Sequence, residues 1–130
     1  TENKPITIFN NGDMGRDFTW YEDIIAGILS VMEAVPKDNS PYTQGGAPHR
    51  VFNLGNNRAE RLMDFVAEIE KALGKTTEKI MAPMADGDVK ETYADIKASQ
   101  DVFDFSPKTP ITVGIPKFVE WYKDYYKVEG

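Results

Sequence analysis

The sequence has no cysteine and a single histidine. The first absence excludes a disulfide framework and any thiolate metal site, which suits a reducing cytoplasm. The second leaves almost no material for an imidazole-ligated metal or a Ser-His-Asp triad. His49 lies in the polar stretch TQGGAPHR and reads as an exposed loop residue, without the orienting partners a catalytic base needs. No apolar run approaches the roughly 20 residues that span a bilayer, and the opening TENKP lacks the charged-then-apolar order of a secretory leader. A cytoplasmic protein away from membranes is the expectation. Positive charge is also scarce: 15 Lys and Arg stand against 21 Asp and Glu, a net charge of −6. That argues against a basic surface for nucleic acid or anionic lipid.

At 130 residues and 41% hydrophobic content, the chain fits one domain with a core of its own. Its densest stretch runs from Phe9 to Ile24, FNNGDMGRDFTWYEDI. Ile6, Thr7, Ile8 and Phe9 have the β-branched and aromatic content of a short strand, and Asn10-Asn11-Gly12-Asp13 is turn chemistry that tolerates positive φ. Residues 16–21 read as a second strand, so Arg16 stands at the edge of a strand pair. From spacing alone, Arg16 and Asp17 form either a surface ion pair or a cleft-facing arginine with its neighbour. Glu22 and Asp23 suit the free N–H groups of a helix start. Residues 24–35, IIAGILSVMEAV, are apolar on nearly every face, the pattern of a helix covered on more than one side.

Residues 36–50 are rich in Pro, Gly, Asn and Ser and read as a long loop. Residues 50–55, RVFNLG, give a short buried-strand signal closed by glycine. Asn57 and Glu60 stand at capping-box spacing before a helix over 58–73. Its apolar stripe of Leu62, Phe65, Val66, Ile69 and Leu73 is core, and Gly74 is its stop. Lys79 to Ala82 is a weak strand ending at Pro83. Asp86-Gly87 then makes a turn from which Asp88 projects, either to hydrogen-bond vicinal hydroxyls, to cap the next segment or to face water. Asp95 is placed to cap a short helix through Ala98 and Val102. Thr109 and Pro110 suit a cap and a first helical position. Interior Pro116, at a cost of about 3 kcal/mol, favours a regular start between 112 and 115 for the helix that ends at 126. Phe118, Val119, Tyr122, Tyr125 and Tyr126 form a stripe at helical spacing that reads as packing.

FNNGD-M-x-RDF-T, with an aromatic residue and DI after it, resembles the segment that opens the substrate-binding, carboxy-terminal part of the extended short-chain dehydrogenase/reductase family. The likeness is to its NAD-dependent UDP-glucuronate 4-epimerase group. It continues through VFNLGNN, RLMDFV, GDV, TYAD and a PKTP-I to FVEWY ending, in the family's order over essentially the whole chain. The resemblance implies that Arg16 contacts the pyrophosphate of a UDP-sugar and that Asp88 approaches its ribose. Asn53 and Asn56 lie near the nucleotide by the same likeness or simply build a turn, and both readings stay open. Relatives carry a long polar side chain three residues before the aspartate. Here Ala85 stands there, which removes one side-chain contact.

The family holds NAD on a glycine-rich turn between strand and helix and uses a tyrosine with a lysine four residues on. No such glycine turn is present in this sequence. Tyr93 and Lys97 have the spacing but fall in the TYAD phrase, after the catalytic half, and are not that pair. The resemblance therefore implies a UDP-sugar-binding portion over residues 1–130, inactive without an NAD-binding Rossmann half, with a homo-oligomer open. In the family the 24–35 helix packs on that half. The expected fold is a small α/β assembly of short strands and three main helices, 24–35, 58–73 and 115–126. Two alternatives remain: part of another nucleotide-sugar epimerase or dehydratase, or a non-catalytic binding module. The module reading requires no surplus apolar surface; the epimerase reading requires an exposed patch around Ile24, Ile25, Ile28 and Met32.

Overall fold

The computed structural model describes residues 4–36 and 49–128. Most of the 36–50 loop therefore lies outside the described residues; within them, His49 is exposed as expected. The order is β1 (Ile6–Ile8), a 3-10 turn (Phe9–Gly12), β2 (Gly15–Arg16), α1 (Tyr21–Glu33), β3 (Glu60–Arg61), α2 (Leu62–Leu73), β4 (Lys79–Met81), α3 (Lys97–Phe103) and α4 (Ile111–Tyr126). It is a small mixed α/β assembly of four helices and short strands. Strand order was not readable from sequence. β1 pairs in parallel with β4, Thr7 opposite Ile80, and β2 pairs antiparallel with β3, Arg16 opposite Glu60.

Several strand and helix boundaries depart from expectation. The second strand stops at Arg16 instead of running to residue 21, because the Asp17 carboxylate draws the chain out of the ladder, and β2 does not pair with β1. Residues 50–55 form no strand: the Asn53 carbonyl accepts the Ser99 hydroxyl at 2.6 Å, and its side-chain amide donates to the Asp95 carbonyl. The capping box does not form. Glu60 is held extended against Arg16 and accepts from Arg58 Nε at 2.7 Å, Asn57 adopts φ +56°, and α2 begins only at Leu62. Gly74 does end α2, in the left-handed region at φ +69°.

The core lies between α2 and α4. Ile111, Ile115 and Val119, one face of α4 at i, i+4 and i+8, pack against Phe65, Ile69, Ala72 and Leu73, with Phe18 stacked on Phe65 at 3.8 Å. Gly114 on that face lets the helix approach Trp20, since a Cβ there would fall 2.9 Å from the indole. α4 starts at Ile111, capped by Pro110, earlier than Pro116 suggested; Thr109 gives no side-chain cap, and its N–H donates to Asp23. Pro116 is tolerated on the exposed side of α4, where Thr112, whose carbonyl a residue-116 N–H would otherwise pair, is exposed as well. The stripe over 118–126 is split: Val119 is core and Tyr122 half-buried, while Phe118, Tyr125 and Tyr126 are exposed and pack with exposed Trp121 ring to ring, Trp121 stacked on Tyr125 at 5.3 Å, because α4 turns its aliphatic face inward.

α1 begins at Tyr21, three residues earlier than expected, with Glu22 and Asp23 in its first turn. Only Gly27 is buried on it, close enough to Leu54 and Phe105 that a Cβ would fall within 3 Å of both. The all-round cover expected for this helix is missing among the described residues. Ile25, Ile28, Leu29 and Met32 are exposed, Met32 at 70%, while Ile24 is half-buried. Among the described residues the apolar patch expected around Ile25, Ile28 and Met32 is therefore exposed. The chain is expected to self-associate and to bind a hydrophobic dye, and Ile28→Lys with Met32→Lys to reduce both; sedimentation showing a dye-free wild-type monomer would contradict that.

Candidate functional site

Arg16 and Asp88, 72 positions apart, meet in the structure: Arg16 Nη2 donates to Asp88 Oδ1 at 2.8 Å. Turn chemistry delivers each. Gly12, at φ +81°, closes the turn that sends the chain into β2. Gly87, at φ +77°, closes a turn in which the Asp88 N–H donates to the Ala85 carbonyl at 3.2 Å. Position 85 thus contributes its backbone. Arg16 Nη1 donates to the carbonyls of Gly15, at 2.8 Å, and Lys90, at 3.1 Å. The guanidinium is thereby fixed by three acceptors, while its Nε–H and one Nη2 hydrogen remain to be used. Asp88 Oδ1 also accepts its neighbour's N–H, from Val89 at 2.8 Å, and Oδ2 takes no bond. The side chains are 23% and 35% exposed, so the unused groups are reachable from solvent.

Asp17 does not pair with Arg16. Its Oδ1 accepts the N–H of Asn56 at 2.8 Å and the Thr19 hydroxyl at 3.3 Å; its Oδ2 accepts the N–H groups of Ala94 at 2.9 Å and Asn57 at 3.1 Å. Asn57 in the left-handed region turns successive N–H groups onto one point, an anion-binding nest filled from within the chain. Sequence reasoning missed this residue as a centre. The signals were the RDF aspartate, a glycine-asparagine turn and a TYAD loop, all visible but far apart. Asn56 gives its backbone N–H to Asp17, and Asn53 bonds to Asp95 and Ser99. Asp95 acts near its expected place, accepting the Lys97 N–H at 2.9 Å at the start of α3.

Around this centre, Lys90 reaches Asp13 at 2.7 Å, and that hydrogen bond holds its pKa above the usual lysine value. A polar cavity of about 300 Å³ between Asn11, Asp13, Arg61, Lys90 and Glu91 adjoins the pair through Gly15 and Lys90, but neither Arg16 nor Asp88 lines it. An apolar cavity of about 350 Å³ lies under Trp20 and Phe118, away from both. Lys97 points to Asp101, at 2.8 Å, whose hydrogen bond raises its pKa, and Tyr93 is exposed. Among the described residues no cluster of His, Cys, Asp and Glu could hold a metal, and no helix is long and apolar enough to cross a membrane. Nor do these residues fit a dinucleotide: the positive-φ glycines 12, 74 and 87 sit in a 3-10 turn, a helix stop and a loop, none between a strand and a helix start.

No protein-family model matches the chain. It is 41% identical, over 98% of its length, to an uncharacterized 37.6 kDa protein of Escherichia coli O111:H-, of which it spans 40%. To UDP-glucuronate 4-epimerase 2 of Arabidopsis thaliana it is 38% identical over 98% of its length, spanning 31% of that protein. The crystal structure of UDP-glucuronic acid 4-epimerase from Bacillus cereus in complex with UDP-glucuronic acid and NAD superposes with a TM-score of 0.77 at 29% identity, over 96% of this chain and 37% of that one. UDP-glucuronate 4-epimerases are thus among the homologues of this chain. The chain spans no more than about two-fifths of the length of these relatives, and the Rossmann-type epimerase structures are matched over their C-terminal portion. The family likeness read from sequence thus agrees with the homologues found.

Close packing at the Asp17 nest has a direct test. A Cβ at Gly55 would fall 2.4 Å from the Ala94 Cβ and 3.3 Å from Asp17 Oδ2. Gly55→Ala is therefore expected to cost about 1–3 kcal/mol of stability by overpacking. Gly74→Ala, with open space around it, is expected to cost only the strain of its positive φ, about 1 kcal/mol. Urea unfolding of the two variants side by side measures the difference.

Proposed function

We propose that this chain is the UDP-sugar-holding portion of an NAD-dependent UDP-glucuronate 4-epimerase, with Arg16 on the pyrophosphate and Asp88 on the ribose. The observation that carries the reading is the meeting of these two side chains at 2.8 Å, in a chain whose homologues include such epimerases. A guanidinium already fixed by three acceptors loses little further freedom when it binds, and its unused N–H groups suit phosphate oxygens. Asp88 Oδ2 can accept from vicinal hydroxyls, while the arginine between offsets repulsion of the carboxylate from the phosphates.

In this reading the intact enzyme interconverts UDP-glucuronate and UDP-galacturonate in the cytoplasm. NAD and the tyrosine–lysine pair belong to the remainder of the enzyme, whose NAD-binding half packs on the exposed face of α1. The present chain contributes binding and orientation of the nucleotide and has no epimerase activity by itself.

Calorimetry with UDP tests the site. Arg16→Ala is expected to weaken binding by about 1.5–3 kcal/mol, the worth of a hydrogen bond to a charged group, and Asp88→Asn to weaken UDP more than free pyrophosphate. Unchanged UDP affinity in a folded Arg16→Ala chain would remove the arginine from the site.

A further inference from the structure

We infer that Asp17 is a positioning residue for the nucleotide site: its carboxylate anchors the strap that brings Asp88 to Arg16 and so sets the geometry presented to a pyrophosphate. The inference rests on the proposed role of Arg16 and Asp88 and adds a residue that touches no ligand.

The strap is residues 88–94, and it is zipped along 15–17. The Gly15 N–H donates to the Lys90 carbonyl at 2.9 Å, and the Thr92 N–H donates to the Gly15 carbonyl at 3.2 Å. The Asp17 N–H donates to the Thr92 hydroxyl at 3.0 Å, and the Ala94 N–H donates to Asp17 Oδ2 at 2.9 Å. Asp88 lies at the other end, on Arg16 Nη2, and Lys90 offers its carbonyl to Arg16 Nη1 midway. One residue, Asp17, thus holds the far end of the strap through both its backbone and its side chain.

The same carboxylate also holds the 55–57 turn, on which Ala94 sits with no room to move toward Gly55. The position of residue 94 is fixed from two sides, and the register of the strap follows. An asparagine at 17 cannot reproduce this. Its single amide oxygen replaces two acceptor atoms, and either orientation of the amide sets an NH2 group against a backbone N–H. Releasing Ala94 lets the strap slide and separates Asp88 and Lys90 from the guanidinium they fix.

A purely structural Asp17 would lower stability without coupling to Arg16, so the test is a double-mutant cycle on UDP affinity at a temperature where every variant gives a dispersed amide spectrum. Asp17→Asn is expected to weaken UDP binding about tenfold in the wild-type background and to cause almost no further loss in an Arg16→Ala background. Should Asp17→Asn not fold, Thr92→Val removes the acceptor of the Asp17 N–H while leaving the 55–57 turn on the carboxylate, and the same non-additivity is expected. A folded variant with wild-type affinity, or one whose loss is the same in both backgrounds, overturns the inference alone. A wild-type chain that does not bind UDP overturns the site reading and the inference with it.

Discussion

Three stretches of chain that share no regular secondary structure are drawn together on one carboxylate. Asp17 accepts two N–H groups from the 55–57 turn, one from Ala94 and a hydroxyl from Thr19. Hydrogen bonds to an ionised acceptor are each worth about 1.5–3 kcal/mol, more than neutral ones, and the sheet here is too small to hold loops by itself. With strands of two and three residues, the assembly depends on this point to set where its loops lie. β3 is held extended beside it, α2 starts late because of it, and the strap carrying Asp88 ends on it.

The helices divide the remaining work. α2 and α4 close an aliphatic core from which Phe18 reaches back to the segment holding Arg16 and Asp17, so the rigid part and the site are joined by two residues of chain. α1 is tied to the start of α4 through Asp23 and the Thr109 N–H, and to the 50s loop through Gly27, but leaves its broad apolar face uncovered. The proposed function, a binding portion within a larger enzyme, calls for both a fixed arginine with its turn aspartate and an apolar face left open among the described residues.

Much of this was legible in the residues because the signals were local. The asparagines before Gly12, the Asp-Gly turn at 86–87, Gly74 as a helix stop and the stripe of α2 all follow from backbone chemistry within a few positions. Two of the misreadings share one cause, a long-range partner that overrode a local pattern. Asn57 and Glu60 had capping-box spacing, yet pairing with Arg16 and the pull of Asp17 took them elsewhere. Residues 50–55 had strand composition but no strand beside them among the described residues, and their polar groups went to Ser99 and Asp95. The stripe of α4 was read from its aromatic residues, but Ile111, Ile115 and Val119 with Gly114 make the face that packs closely. Arg16 and Asp88 were singled out through likeness to a family; that they touch each other needed the fold.

If Arg16 and Asp88 form one nucleotide-binding locus, a heteronuclear NMR titration of the labelled chain with UDP should reveal it. The Arg16 side-chain Nε–H and the amides of residues 15–17 and 87–90 are expected to shift together and saturate with a single dissociation constant, while the aromatic face of α4 stays still. Shifts confined to the region of Trp121, or none near Arg16 in a well-dispersed spectrum, would contradict it.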